Sequence, residues 1–110
     1  MLDDNDYPDE ESLEKIKNWD LLEHGVEGLL DLIEENTNWS SRQIKRSGKN
    51  VIRYVYHTGG WSGNEDVVEA MMHNFLFWSL SWWKSTIGGH YYFKIQKKQY
   101  GVQALSKEGK

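Results

Sequence analysis

The spacing of apolar residues along the chain predicts where its helices and strands lie. From residue 10 to residue 36, apolar side chains recur every three or four positions among acidic ones, which is typical of amphipathic helices. One short helix is expected to end near Asn18. A second should cover about 26–36 after a break near Gly25, because glycine is unfavourable inside a helix.

Between Arg42 and His57 the apolar period becomes two, which predicts a β-hairpin with a turn at Ser47–Asn50. One face of its second strand is apolar and aromatic: Ile52, Tyr54 and Tyr56. The hairpin region also holds five of the thirteen basic residues: Arg42, Lys45, Arg46, Lys49 and Arg53. Such a cluster is typical of a solvated sheet edge that resists edge-to-edge pairing. Contact with phosphate or with an acidic partner is the alternative.

A glycine-rich loop, Gly59–Gly63, separates this hairpin from the next helical pattern. Ser62 and Glu65 have the spacing of a capping box, so we expect a helix that begins at Ser62, with its hydroxyl as the cap. This helix should end near Asn74 in a left-handed conformation. Residues 75–86 fit a strand or a helix that is apolar nearly all round. The Gly-Gly turn and aromatic run that follow favour a strand and a second hairpin.

The predicted order of elements is therefore α-α-β-β-α-β-β. Hairpins without βαβ alternation indicate an α+β fold, an antiparallel sheet with helices packed on one face. At 110 residues the chain is expected to form one domain, 1–110, in which 1–7 and 98–110 are flexible or peripheral. Trp78 and Trp82 are expected in the core or in a dimer contact.

Composition narrows the setting in which the protein is expected to work. The chain has no cysteine, no apolar stretch near the roughly 20 residues of a membrane span, and an acidic start unlike a secretory leader. These features predict a cytoplasmic protein without disulfides or membrane contact. Six tryptophans and six tyrosines suit either a compact aromatic core or an interface.

Charge is divided between the two parts of the chain. Residues 1–36 carry thirteen acidic residues against two lysines, a net charge of −11. Residues 37–110 carry eleven lysines and arginines against four acidic residues, a net charge of +7. Attraction between two layers of one domain explains this division. A basic site for an anionic ligand, or an acidic surface that mimics or repels nucleic acid, is the functional alternative.

The loop invites a phosphate-binding interpretation, because free N–H groups at a helix start favour anions. It lacks the Gly-Lys-Ser/Thr ending of a P-loop and the Gly-x-Gly-x-x-Gly of a dinucleotide fold. Glu65 and Asp66 would repel an anion there, which favours a structural turn. Trp61 keeps a ligand hypothesis open, since an indole between glycines can stack on a base.

The four histidines do not predict a metal site, because Glu69 and His73 lie on the polar face of their helix. Nucleophilic catalysis would use Ser62 with His57 or His90, but no carboxylate is placed to orient either histidine. His57 and His90 each border a glycine pair. The two hairpins could therefore bring them together, which general acid–base chemistry would require.

Part of the chain resembles a pattern found in small uncharacterised proteins encoded by bacteriophages and prophages. The resembling residues are Thr58–Glu65, the aromatics Phe77, Trp78 and Trp82, and Gly88–Phe93, with a weaker similarity at Asn18–Asp20. The resemblance implies an origin, a phage or prophage protein that acts inside a bacterial cell. It implies no particular activity.

These observations favour a non-enzymatic binding protein in the cytoplasm of a bacterial host, with no cofactor and no metal. The expected partner is a host protein or a small anionic, nucleotide-like ligand, with nucleic acid less supported. A homodimer is compatible with the tryptophan face of the predicted strand. Masking a host protein or sequestering a nucleotide would serve counter-defence. An enzyme of nucleotide or nucleic-acid metabolism using His57 and His90, and a virion or assembly component, are the alternatives. The expected binding residues are Gly59, Gly60, Trp61, Ser62, Gly63, Asn64, Glu65, His57, His90, Tyr91, Arg42, Arg46 and Arg53.

Overall fold

The computed structural model describes residues 2–38 and 44–97. The chain begins with three helices: α1 (Glu10–Lys17), α2 (Leu21–His24) and α3 (Glu27–Glu35). A hairpin follows, made of β1 (Ile44–Ser47) and β2 (Val51–His57). The remaining elements are α4 (Ser62–His73), α5 (Phe75–Ser81), β3 (Trp82–Thr86) and β4 (His90–Gln96). The predicted α+β class and both hairpins are confirmed. Arg42 and the lysine-rich end from 98 onward lie outside the described residues.

The four described strands form one antiparallel sheet in the order β1-β2-β4-β3. The central pair, β2 and β4, aligns aromatic and aliphatic residues on one face: Ile52 with Ile95, Tyr54 with Phe93, and Tyr56 with Tyr91. Because successive side chains of a strand point to opposite faces, the residues between these pairs share the other face. The two faces of the sheet therefore differ in character.

The inward face of β2 and β4 and the apolar residues of the helices form one hydrophobic core. Phe93 lies at its centre, with its ring centroid 6.2 Å from that of Tyr54 and 5.5 Å from those of Phe77 and Trp78. Rings that meet in tilted or edge-to-face geometry bury large areas and attract one another. The helices contribute the buried residues Ile16, Leu29, Leu30, Ile33, Val67, Ala70 and Met71.

The predicted break between the first helices is confirmed at Gly25. The Trp19 indole Nε1 donates a 2.8 Å hydrogen bond to the Gly25 carbonyl, and the Trp19 ring lies against Gly28. A β-carbon at Gly28 would come within 2.7 Å of that ring. Glycine therefore stands inside α3 because the tryptophan occupies the space of a side chain.

The prediction of a strand from residue 75 onward is wrong for the first half of that segment. Residues 75–81 form helix α5, and only Trp82–Thr86 is a strand. Asn74 explains the difference: its side chain accepts a hydrogen bond from the Phe77 N–H and donates to the carbonyls of Ile16 and Trp19. This single residue caps α5 and fixes its start against the end of α1.

The prediction of a Ser62 cap is also wrong. Helix α4 begins at Ser62 itself, with Trp61 as the preceding cap residue and without a side-chain capping bond. The Ser62 hydroxyl lies 2.8 Å from the Tyr7 hydroxyl, so the N-terminal segment uses it instead. At the other end, Asn74 follows α4 as expected, but its φ of −83° is not left-handed.

Candidate functional site

Part of the backbone at the glycine-rich loop is hydrogen-bonded within the protein. The Thr58 N–H donates to the Gly89 carbonyl at 3.0 Å, and the Trp61 N–H donates to the Thr58 carbonyl at 3.2 Å. The Gly60 N–H donates to the Thr58 hydroxyl at 3.3 Å. These three N–H groups therefore already have acceptors within the protein. The loop joins the two hairpins and starts α4.

Trp61 is half-buried under the N-terminal segment. Its ring centroid lies 5.1 Å from that of Tyr7, and a β-carbon at Gly63 would approach both its Nε1 and Pro8. The indole Nε1 is buried without a hydrogen-bond partner. Tyr7 therefore occupies part of the surface on which a base would stack. The ligand-binding role expected for Gly59–Gly63 stays a prediction.

Asn64 is buried and ties three parts of the chain together. Its Oδ1 accepts a hydrogen bond from the Asn38 N–H at 2.9 Å, and its Nδ2 donates to the Thr58 carbonyl at 2.9 Å. Its neighbour Glu65 is exposed in the first turn of α4. Asn64 thus holds the loop in place, and Glu65 adds negative charge beside it.

His57 and His90 meet, a possibility that the two hairpins left open. They are directly opposite each other in β2 and β4, and their rings stack with centroids 3.9 Å apart. The His57 Nε2 lies 3.1 Å from the Gly88 carbonyl oxygen. Within the described part of the chain, neither ring bonds to a carboxylate. The pair is held by ring stacking and by the contact of His57 with the Gly88 carbonyl.

The other expected binding residues fall in different places. Arg46 forms ion pairs of 2.9 Å with Asp31 and 3.2 Å with Glu34. Burial disfavours the charged guanidinium and by itself lowers its pKa. The two carboxylates favour the charged form more strongly, so the pKa of Arg46 is raised. Tyr91 lies on the core face, edge-on to Trp78. Arg53 alone among the described hairpin arginines points away from the core.

The face of the sheet opposite the core, which we call the open face, combines basic and aromatic side chains. Its register aligns Lys45, Val55, Tyr92 and Lys84 across the four strands in one row. A second row aligns Arg53 with Lys94. The remaining members of the face are Ser47, Val51, His57, Trp83, Thr86, His90 and Gln96. No acidic residue occurs in any of the four described strands.

The charges of the open face are not neutralised by the rest of the described chain. Lys45, Arg53, Lys84 and Lys94 form no ion pair there, whereas Arg46 and Lys97 pair with carboxylates of α3. The sequence predicted that the acidic helices and the basic strands attract each other. Arg46 and Lys97 form the ion pairs between the sheet region and α3 that this prediction requires. Four others remain together on one face of the sheet, where their combined potential favours anions.

Lysine ammonium groups lie over the exposed aromatic rings of this face. The Lys84 Nζ is 4.8 Å from the Trp83 ring centroid and 4.9 Å from that of Tyr92. The Lys94 Nζ is 5.2 Å from the Trp83 ring centroid. The sequence reasoning did not select Trp83, Lys84, Tyr92 or Lys94. The alternation of β4 could have placed Tyr92 and Lys94 beside Arg53, but the irregular register between Trp82 and Lys84 has no local sequence signal.

Comparison with known proteins adds no relative: no protein-family model, curated protein or solved structure matches the chain. Among the described residues, no set of three or more histidine or acidic side chains could hold a metal ion. The helices described are all too short or too polar to cross a bilayer.

Proposed function

We propose that this protein is a non-enzymatic binding protein that holds an anionic, nucleotide-like partner on the open face of its sheet. The observation that carries the proposal is a set of four basic side chains that form no ion pair with the described part of the chain, on strands that contain no acidic residue. Flat surfaces with one sign of charge attract partners of the other sign and raise their local concentration.

The setting of the proposal is a bacterial cell that carries the encoding phage or prophage. There, the protein would act in the cytoplasm by sequestering a nucleotide-like ligand or by masking a host protein. The similarity of Thr58–Glu65 and Gly88–Phe93 to phage-encoded proteins supports the origin. The charge of the open face supports the ligand class.

Inorganic polyphosphate tests the proposal as a simple polyanion without bases. We expect the double variant Lys45→Glu with Arg53→Glu to bind polyphosphate about tenfold more weakly than the wild-type protein, because two contacts become repulsive. Lys15→Glu with Lys17→Glu is the matched control, since it changes the net charge equally on helix α1. Equal weakening in both variants, measured by isothermal titration calorimetry, would refute the assignment to the open face.

Exposed apolar side chains around the α4–α5 junction support a second candidate function, that of a component of a protein assembly. Phe75, Leu76 and Leu80 of α5, and Met72 near the end of α4, are 38–81% exposed. Apolar surface of this kind marks protein contacts. Light scattering at micromolar concentration tests this candidate. A dimer that Phe75→Glu dissociates would support it, and a monomeric wild-type protein would count against self-assembly.

A further inference from the structure

We infer that the open face binds a single-stranded nucleic acid of several nucleotides, with bases stacked on Trp83 and Tyr92 and phosphates on the surrounding cations. This inference rests on the proposed function and names the chemistry of its ligand. The positions of Trp83 and Tyr92, the lysines over their rings and the width of the sheet support it.

The aromatic rings are placed where unpaired bases could reach them. Trp83 is 54% exposed on edge strand β3, and Tyr92 is half-buried on the neighbouring strand β4. The Lys84 Nζ lies 4.8 Å from the Trp83 ring centroid and 4.9 Å from that of Tyr92, so the two rings flank the same ammonium group. Because every base has a π-face, such rings bind single strands with little regard to sequence.

When a base stacks on a ring, the lysine over that ring can replace its cation–π contact with a contact to phosphate. A cation–π contact at an exposed site changes an equilibrium constant by only about two- to fivefold, which is less than a stacked base contributes. A base that displaces Lys84 from Trp83 therefore gains more than it costs. The displaced ammonium remains beside the site, where it can pair with the phosphate of the same nucleotide.

The row of cations is longer than one nucleotide. Lys45 and Lys84 stand on the outer strands, three strand spacings or about 14 Å apart. At about 3.4 Å per stacked nucleotide, this distance corresponds to about four nucleotides. Arg53 and Lys94 lie in the adjacent row, so the cations follow a band rather than a point. This arrangement favours an oligomer over a mononucleotide.

A duplex does not fit the same features. Its bases are paired and stacked inside the helix, so they cannot lie on Trp83 or Tyr92. Readout through the major groove uses an inserted helix or a two-stranded ribbon, whereas the open face is a flat sheet surface. Single strands are the form of nucleic acid that offers both bases and phosphates to a flat surface.

The test compares fluorescently labelled oligouridine and oligothymidine of two, four and eight nucleotides with an eight-base-pair duplex and with polyphosphate. We expect affinity to rise up to about four nucleotides and the single strands to bind more tightly than the duplex. Trp83→Leu should weaken octanucleotide binding by about 5- to 150-fold, while leaving polyphosphate binding unchanged. A difference between the two oligomers would identify RNA or DNA as the preferred form.

Trp82→Leu is the matched control, because Trp82 is 44% exposed and stacks on Trp78 rather than under a lysine. Tyr92→Leu is the second variant if Trp83→Leu fails to fold, as judged by circular dichroism. Equal binding of duplex, single strands and polyphosphate, unaffected by either substitution, would overturn the inference and leave the proposed function intact. Absence of binding to every polyanion would overturn both.

Discussion

Asn64 shows at the scale of one residue how the glycine-rich loop serves the fold. Its side chain is 1% exposed and joins Asn38 to Thr58, whose own N–H is bonded to Gly89. The loop is thereby locked between the end of α3 and both hairpins. The Asn64 side chain thus binds backbone groups on both sides of the loop.

Replacement of this residue should therefore reduce stability. Asn64→Ala leaves the Asn38 N–H and the Thr58 carbonyl without their partner, and we expect the free energy of unfolding to fall by about 2 to 3 kcal/mol. Asn5→Ala is the control, because Asn5 is exposed. Urea denaturation measures both. Unchanged stability together with lost polyphosphate binding would contradict this structural role and support the loop as a binding site.

The sequence predicted the existence of this loop but not what its N–H groups bind. The glycines and the change of period are local signals. The acceptor of the Thr58 N–H lies in the second hairpin, and Tyr7, which uses the Ser62 hydroxyl, lies 55 positions away. Contacts of this kind depend on tertiary structure, so the capping-box spacing of Ser62 and Glu65 was misleading here.

At the scale of elements, α5 gives the sharpest distinction between strand and helix. A strand would place Phe75 and Phe77 on the same face. In the helix, Phe77 is fully buried against Phe93, whereas Phe75 is 81% exposed. We expect Phe77→Ala to lower the free energy of unfolding by about 3 to 5 kcal/mol and Phe75→Ala to change it by less than about 0.5 kcal/mol. Thermal or urea denaturation that gives equal losses would favour the strand.

The other elements followed from local signals to different degrees. Alternation and turn residues predicted β2 and β4 well, because each strand has one buried face. Helix α5 could not be predicted in this way, since the Asn74 amide that fixes its start reaches the carbonyls of Ile16 and Trp19, more than fifty positions earlier. The same limit applies to Trp83, whose position depends on the register shift of an edge strand.

At the scale of the whole molecule, two buried tyrosines should make the free energy of unfolding decrease as the pH rises in the alkaline range. Burial, and then the charge of Glu34, raises the pKa of Tyr54 well above 10, and burial raises the pKa of Tyr56. Above pH 10 these hydroxyls ionise in the unfolded chain but not in the folded one. Stability is therefore complete below pH 10 and decreases as the pH rises.

Because each tyrosine ionises in the unfolded chain, we expect each one to lower the free energy of unfolding by about 1 kcal/mol between pH 10 and pH 11. Urea denaturation at both values measures the loss. Tyr54→Phe should remove about half of the decrease, because phenylalanine has no proton to lose. A decrease that is identical in Tyr54→Phe would show that other groups cause the alkaline transition.

Charge is also organised at this scale. Glu11, Glu14 and Asp20, together with Lys15, line the surface depression beside α1 and α2, whereas the charged residues in the described strands of the open face are all basic. The division of charge along the sequence anticipated an acidic and a basic part. It did not show that Lys84 and Lys94 join Lys45 and Arg53 on one surface, because strand order and register decide that.

The salt dependence of polyphosphate binding tests most directly whether the four basic side chains of the open face bind anions. Isothermal titration from 50 to 200 mM NaCl should give the wild-type protein a slope of log affinity against log salt of about −3, for four cations that each neutralise one charge. Lys45→Glu with Arg53→Glu should reduce its magnitude by about 1.4, and Lys15→Glu with Lys17→Glu should not change it. The same affinity and the same slope in the two double variants would contradict binding at the open face.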